Sequence, residues 1–262
     1  MAAVTYPETV RVWREEHAAK IGSETGWLSY AGLFWLKEGE NRTGSNPDSD
    51  IVLPKGAPDY AGSFLFHGGK TQFKSPSGHV REALSDAAAG KPDVIEIAGV
   101  KLHVVKRGDR FGVRLRDPNS DYRKHFKGLA WYPANVRYRV TAKFVYYPES
   151  KKVKVTNILG DVDEEPSPGY AEFELLGKKM QLEPVLEDDK LFYTFKDLTS
   201  GKTTYAAVRF LYSDLPKNGE VVLDFNLAHN PACAFTDFAT CPLPPRKNHL
   251  PIAIEAGELY KK

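Results

Sequence analysis

The chain begins with one helical period and then changes to a period of two. Val10, Trp13, Ala18 and Ile21 recur at near-helical intervals, which predicts a helix between Thr5 and Gly22. Thr5 is placed to cap it, Pro7 suits its first turn, Glu8 completes capping-box spacing and Gly22 stops it. The run WLSYAGLFWL (Trp27–Leu36) is apolar throughout, so periodicity leaves helix and buried strand both open there. Farther on, Val136, Tyr138, Val140, Ala142, Phe144 and Tyr146 alternate with Arg137, Arg139, Thr141 and Lys143, the pattern of a long strand with one buried face. KLFYTFKD, TTYAAVRFLY and EVVLDF repeat the habit between the turn signals TSGK and LPKNG. DIVLP, SFLF, KTQF, VIEIAG, KLHVVKR and FGVRLRD precede them. In all, about a dozen short strands follow residue 40, with little helix among them.

The expected fold is therefore mostly β: an N-terminal helix, then antiparallel β-sandwich or barrel layers, then a Pro-rich C-terminal wrap. Residues 1–40 would hold the helix and apolar segment, 41–120 a first β layer, and 121–262 a second layer or barrel carrying the wrap. The polar stretch DPNSDYRKH (Asp117–His125) is the weakest joint, and the layers are expected to pack as one unit.

Charge changes this picture little. Lys+Arg total 36 and Asp+Glu 34, a balance that favours neither nucleic acid nor a membrane surface as partner. The distribution is uneven: Lys101–Lys154 holds 15 basic and 4 acidic residues, and Asp161–Asp197 holds 11 acidic and 4 basic ones. Two facing surfaces that balance each other are one explanation, and a basic groove for an anionic ligand is the other. No stretch approaches the ~20 apolar residues of a membrane span. The opening MAAVTYPETVRVW lacks a basic stretch followed by an apolar run, so no secretory leader is expected and the cytoplasm is the expected compartment. The 2 cysteines do not make a disulfide scaffold.

The C-terminal run carries a resemblance. Asp224-Phe225-Asn226, Ala228, Asn230-Pro231, Cys233-Ala234, Cys241-Pro242-Leu243-Pro244-Pro245, Asn248, Leu250-Pro251 and Ala256-Gly257-Glu258 follow the pattern of a bacterial and fungal family of unknown function. Gly26-Trp27-Leu28, Gly32–Leu36, Asp50–Pro54, Gly128-Leu129, Trp131-Tyr132-Pro133, Thr199-Ser200-Gly201 and Arg209-Phe210 extend it over nearly the whole chain. The resemblance implies no activity. The chain departs from the pattern at Leu227 (usually Arg), His229 (Tyr), Lys247 (Glu) and His249 (Arg). A weaker similarity, in TGSNPDSDIVLP (Thr43–Pro54), resembles the opening of a forkhead-associated domain and implies a related sandwich for residues 40–117. Such domains bind phosphothreonine through an Arg after the first Gly, where this chain has Ser45.

Candidate chemistry concentrates near the C-terminus. Arg209 lies inside the apolar run YAAVRFLY, and a guanidinium buried there needs a carboxylate or an anionic ligand. It is the preferred anion contact, with Tyr205, Asn226, Asn230 and Asn248 as further ligand-binding residues and Asp224 and Glu255 as acid/base. An internal salt bridge from Arg209 to Asp224 or Glu255 is the structural alternative. His229, Cys233, Cys241 and His249 form an alternative zinc set, but only His229–Cys233 has the short spacing of a structural site. Both histidines also replace Tyr and Arg of the family pattern. A Cys233–Cys241 disulfide, a nucleophilic cysteine served by His229 or His249, and a pair of buried thiols are the other readings. Pro242, Pro244 and Pro245 exclude a central strand and predict a polyproline-like wrap whose unpaired backbone groups are met by asparagine side chains. Asp161–Glu165 reads as a solvated acidic turn rather than a calcium loop, and His103 as a strand-surface histidine. Trp35, Trp131 and Tyr132 read as core aromatics ahead of a stacking site. Nucleophile-elbow, P-loop, zincin and dinucleotide-binding motifs do not occur. The functional expectation is a small-molecule-binding protein, hydrolase-like if an enzyme, with an anionic-ligand pocket under the C-terminal segment. The alternative is a non-catalytic β-sandwich interaction module.

Overall fold

A computed structural model describes residues 5–87 and 92–260 of the chain. The fold is mostly β, with 46% strand and 14% helix, and its strands form several antiparallel sheets rather than a closed barrel. The N-terminal helix spans Tyr6–Gly22, as the periodicity predicts. The ambiguous aromatic run resolves into a single 3-10 turn, Trp27–Ser29, followed by strand Tyr30–Trp35.

The described residues fall into two compact units. One comprises those within Ile21–Phe126 and Thr236–Ala239, the other those within Met1–Lys20, Lys127–Phe235 and Thr240–Lys262. The first unit has a 4-stranded sheet (Tyr30–Trp35, Arg110–Arg116, Val100–Arg107, Ile95–Ile97 in spatial order) and a 5-stranded sheet containing Ile51–Val52, Gly39–Gly44, Gly62–His67, Lys70–Lys74 and Val80–Glu82. Alternation turns Leu102, Val104, Val113 and Leu115 of one sheet toward Ile51, Phe64 and Phe73 of the other, and these make one core, as in a sandwich. Gly44 has no room for a side chain, since a Cβ there would lie 2.0 Å from the Asp59 carbonyl oxygen. His103 is not on the strand surface as expected. It is buried opposite Arg114 across the ladder, and burial lowers its pKa to about 4.

The second unit is built on a long hairpin, Arg139–Thr156 with Val162–Leu175, flanked by Lys178–Leu182 and Glu220–Asp224 in a 4-stranded sheet. Asp161–Glu165 is therefore not a turn. The reversal lies at Asn157–Gly160, where the Asn157 side chain accepts from the Leu159 and Asp161 amides, and the acidic run continues into the strand. Its carboxylates face the basic strand directly: Glu164 sits opposite Lys154 and Glu172 opposite Lys143. Part of the charge imbalance in the sequence is thus two halves of one ladder. Pro148 is tolerated inside the 18-residue strand because pairing with its neighbour lapses between Tyr146 and Lys151.

A 3-stranded sheet of Val185–Glu187, Lys190–Phe195 and Arg209–Asp214 supplies Leu191, Tyr193, Phe195 and Leu211 to the core of this unit. The run TTYAAVRFLY becomes a strand only from Arg209, because Asp197–Thr204 forms a turn instead. From Phe225 the chain forms single 3-10 turns at Phe225–Leu227, Ala232–Ala234 and Arg246–Asn248, then a 2-residue strand, Glu258–Leu259. Along the way Leu250, Ile252, Ile254 and Ala256 cap the core. Asn248 meets the backbone groups this wrap leaves unpaired: it accepts from Glu183 N at 2.9 Å and donates to the carbonyls of Glu183 (2.9 Å) and Thr194 (2.8 Å).

Candidate functional site

Arg209 is held on all sides. Its side chain is 1% exposed, and Nη1 donates to Asp197 Oδ2 at 2.6 Å and to the Ile254 carbonyl at 3.1 Å. Nη2 donates to the Ala256 carbonyl, and the guanidinium lies 5.1 Å above the Phe195 ring. The partner of the internal pair is Asp197, a residue the sequence did not single out, whose Oδ1 accepts from Thr199 N at 2.6 Å and so fixes the Thr199-Ser200-Gly201 turn. The arginine therefore fastens the C-terminal wrap to that turn. Gly257 makes the close approach feasible: its φ is +82°, and a Cβ would lie 2.3 Å from the Ala228 carbonyl oxygen and 2.8 Å from Arg209 Nη2.

Asp224 stands in a different network. It accepts from the Tyr6 hydroxyl (2.8 Å to Oδ1) and from the Asn226 amide (3.1 Å), and Arg139 Nε lies 3.8 Å from Oδ2. Burial and the Asp224 carboxylate raise the Tyr6 pKa, which keeps that phenol a donor. Asn226 is buried and grips Asn135 in both directions, accepting from its N–H at 2.9 Å and donating to its carbonyl at 2.9 Å. Glu255 is exposed, while Asp224 is buried. Tyr205 donates to the Cys233 carbonyl at 3.2 Å. Of the alternative metal set, His249 is exposed and His229 is buried among Trp13, His17, Phe210 and Tyr212. The two cysteines are not joined by a disulfide, and Cys233 N lies 3.1 Å from Cys241 Sγ. Among the described residues no three His, Cys, Asp or Glu side chains are arranged to hold a metal ion.

What the structure does bring together is a cluster on the N-terminal helix. Trp131 pairs with Glu258 across the short ladder of Ala130–Trp131 and Glu258–Leu259, and Tyr132 N donates to the Gly257 carbonyl. Trp13 and Arg14 lie one turn before His17 on the helix. The His17 ring stacks on Trp13 at 4.9 Å, lies 4.4 Å from the His229 ring, and places Nε2 4.0 Å from Glu258 Oε2. Glu258 accepts the Asn230 amide at 2.9 Å, and Asn230 donates to the Leu259 carbonyl at 3.1 Å. Burial pushes Glu258 up to about 7 and lowers His17 to about 3 and His229 to about 4. Near neutral pH this is a carboxyl at its titration point beside two uncharged imidazoles.

Beside the cluster lies a groove of about 390 Å³, lined by Pro7, Val10, Arg14 and Ala18 of the helix and by Leu129, Trp131 and Ala134. That size is at the lower end for small-molecule sites. Arg14 sits 4.7 Å over the Trp131 ring and donates to the carbonyls of Tyr132 (3.0 Å) and Asn226 (3.2 Å). It makes no ion pair among the described residues, and its Nε is buried without an acceptor. Arg11, which also lines the groove, is paired with Glu8 and Glu15. Sequence reading missed Arg14, His17 and Glu258. The spacing of Trp13, Arg14 and His17 was visible, but nothing in it says which face of the helix meets residues more than 100 positions away.

The fold and site define a two-unit β protein whose functional candidates lie between its N-terminal helix and the end of its chain. Residues 124–259 match the family described as Protein of unknown function (DUF1684), and the chain belongs to it. The chain is also similar to an uncharacterised protein of Haloarcula marismortui solved by solution NMR. The two are 31% identical over 52% of this chain and 78% of that one, with a TM-score of 0.44. No curated protein matches the chain.

Proposed function

We propose that this protein binds a small organic anion with an apolar body in the groove between the N-terminal helix and residues 129–134. One observation carries the reading: Arg14 is half-buried in an apolar-walled groove, with carbonyls for hydrogen-bond partners and, among the described residues, no carboxylate in ion-pair contact with it. A guanidinium so placed favours an incoming carboxylate or phosphate, and Trp131 beneath it offers a face for a planar or aliphatic body. Arg209, the arginine singled out in the sequence, is already neutralised by Asp197 and supports the wall of the site rather than its contents. Asp224, which accepts from the Tyr6 hydroxyl and is electrostatically coupled to Arg14, is the acid/base candidate should the bound anion react.

The test is thermal unfolding of the whole chain against octanoate, benzoate and naphthoate, with phenyl phosphate alongside. A ligand of the native state raises the midpoint with concentration. The expected result is such a rise with at least one of these anions, lost in Arg14→Met. No rise at millimolar concentrations, or a rise that survives Arg14→Met, overturns the proposal.

A further inference from the structure

We infer that Cys233 and Cys241 are a reversible oxidation site, with Cys233 the residue that attacks and Cys241 the one that resolves. The two thiols are in side-chain contact, and the Cys233 amide reaches Cys241 Sγ at 3.1 Å. Neither backbone is loose. Cys233 is the centre of the 3-10 turn Ala232–Ala234, closed by Ala234 N donating to the Pro231 carbonyl at 3.0 Å. The Cys241 carbonyl accepts from Ile158 N at 2.9 Å, and Cys241 is followed by Pro242, which bridges to Asn157. With backbone fixed on both sides, a bond between these two neighbouring sulfurs would form through side-chain rotation.

The pair is also asymmetric. Cys241 is buried, whereas Cys233 is only partly covered. Contact with the Cys241 thiol favours the Cys233 thiolate against the opposing effect of burial. Thiol–disulfide exchange needs an accessible thiolate first and a neighbouring thiol second. With a low-molecular-weight disulfide as oxidant, Cys233 thiolate attacks one of its sulfurs and expels one thiolate, leaving a mixed disulfide. The Cys241 thiol then loses its proton to water and attacks Cys233 Sγ, expelling the second thiolate. Two protein thiols are oxidised and one small disulfide is reduced to two thiols. The product bond would lie three residues beyond Asn230, whose amide holds the Glu258 carboxyl.

The experiment uses the full chain with oxidised glutathione, acid quenching, alkylation with iodoacetamide and intact-mass measurement. Wild type is expected to lose both alkylation sites without keeping a glutathione adduct, and to regain both with reduced glutathione. Cys241→Ser is expected to trap one glutathione on Cys233. Cys233→Ser is expected to react about ten-fold more slowly, since its remaining thiol is buried. Wild type that keeps two alkylatable thiols, or oxidises only in urea, overturns the inference. Equal adduct formation by the two single variants overturns the assignment of roles.

Discussion

Two arginines of one unit carry the same charge into opposite surroundings. Arg209 has a carboxylate at 2.6 Å and two carbonyls around it, and it is 0% exposed. Arg14 has two carbonyls, an indole face and a groove. Each leaves its Nε without an acceptor, so an orphan donor does not separate them. What separates them is neutralisation and access. A guanidinium paired inside a sealed wall holds chain segments together, while an unneutralised one at a groove invites an anion.

The comparison can be broken most forcefully at the clamp. Asp197→Leu should cost about 3–5 kcal/mol in urea unfolding, because it leaves the Arg209 guanidinium buried and uncompensated. The double variant Asp197→Leu with Arg209→Met should be less destabilised than either single one, since no buried charge remains. Double-variant losses that simply add would mean the two residues do not act as a pair. Gly257→Ala comes next, at roughly 2–3 kcal/mol, since it places a Cβ against the Ala228 carbonyl and the Arg209 fork at a left-handed φ of +82°. A loss under about 0.5 kcal/mol in the same assay would show that the wrap yields there.

A smaller effect sharpens the groove side. Glu258 has its folded pKa raised from 4.5 to about 7, so its contribution is full below 4.5 and lost as pH rises through 7. His17 and His229 are lowered from 6.5 to about 3 and about 4, so theirs is full above 6.5 and lost as pH falls toward those values. Between roughly pH 5 and 6.5 the two histidines make stability climb with pH, and Glu258 works against about half of that climb. Glu258→Gln should therefore steepen the climb between roughly pH 5 and 6.5, read from urea midpoints across pH. Parallel wild-type and variant profiles would show that Glu258 does not titrate in this range.

The legible part of the fold was the part with a period. The N-terminal helix, the long strand and the Pro-rich wrap follow from spacing and proline. The strand read from Val136 nevertheless starts at Arg139, because Val136–Tyr138 is a 3-10 turn capped by Asn135, and the wrap ends in the short strand Glu258–Leu259. Val162–Leu175 was missed because its first half has one exposed face and one only partly covered, and Glu164 and Glu172 answer lysines across the ladder rather than a core. Of the site, Arg209 was found because a charge in an apolar run stands out, yet its partner Asp197 was hidden in a turn. Asn226, Asn230 and Asn248 were picked out, and each meets backbone groups as the wrap requires. His17 and Glu258 lie 241 positions apart and meet only through the fold. The comparison of the two arginines likewise exists only in three dimensions.

Urea unfolding of Arg209→Met beside Arg14→Met tests that comparison most directly. Arg209→Met should lose about 3–5 kcal/mol by stranding the Asp197 carboxylate, and Arg14→Met less than about 1 kcal/mol because it strands only carbonyls at a groove. Equal losses, or a larger loss at Arg14, would contradict the division between an arginine that holds the fold and one that faces a ligand.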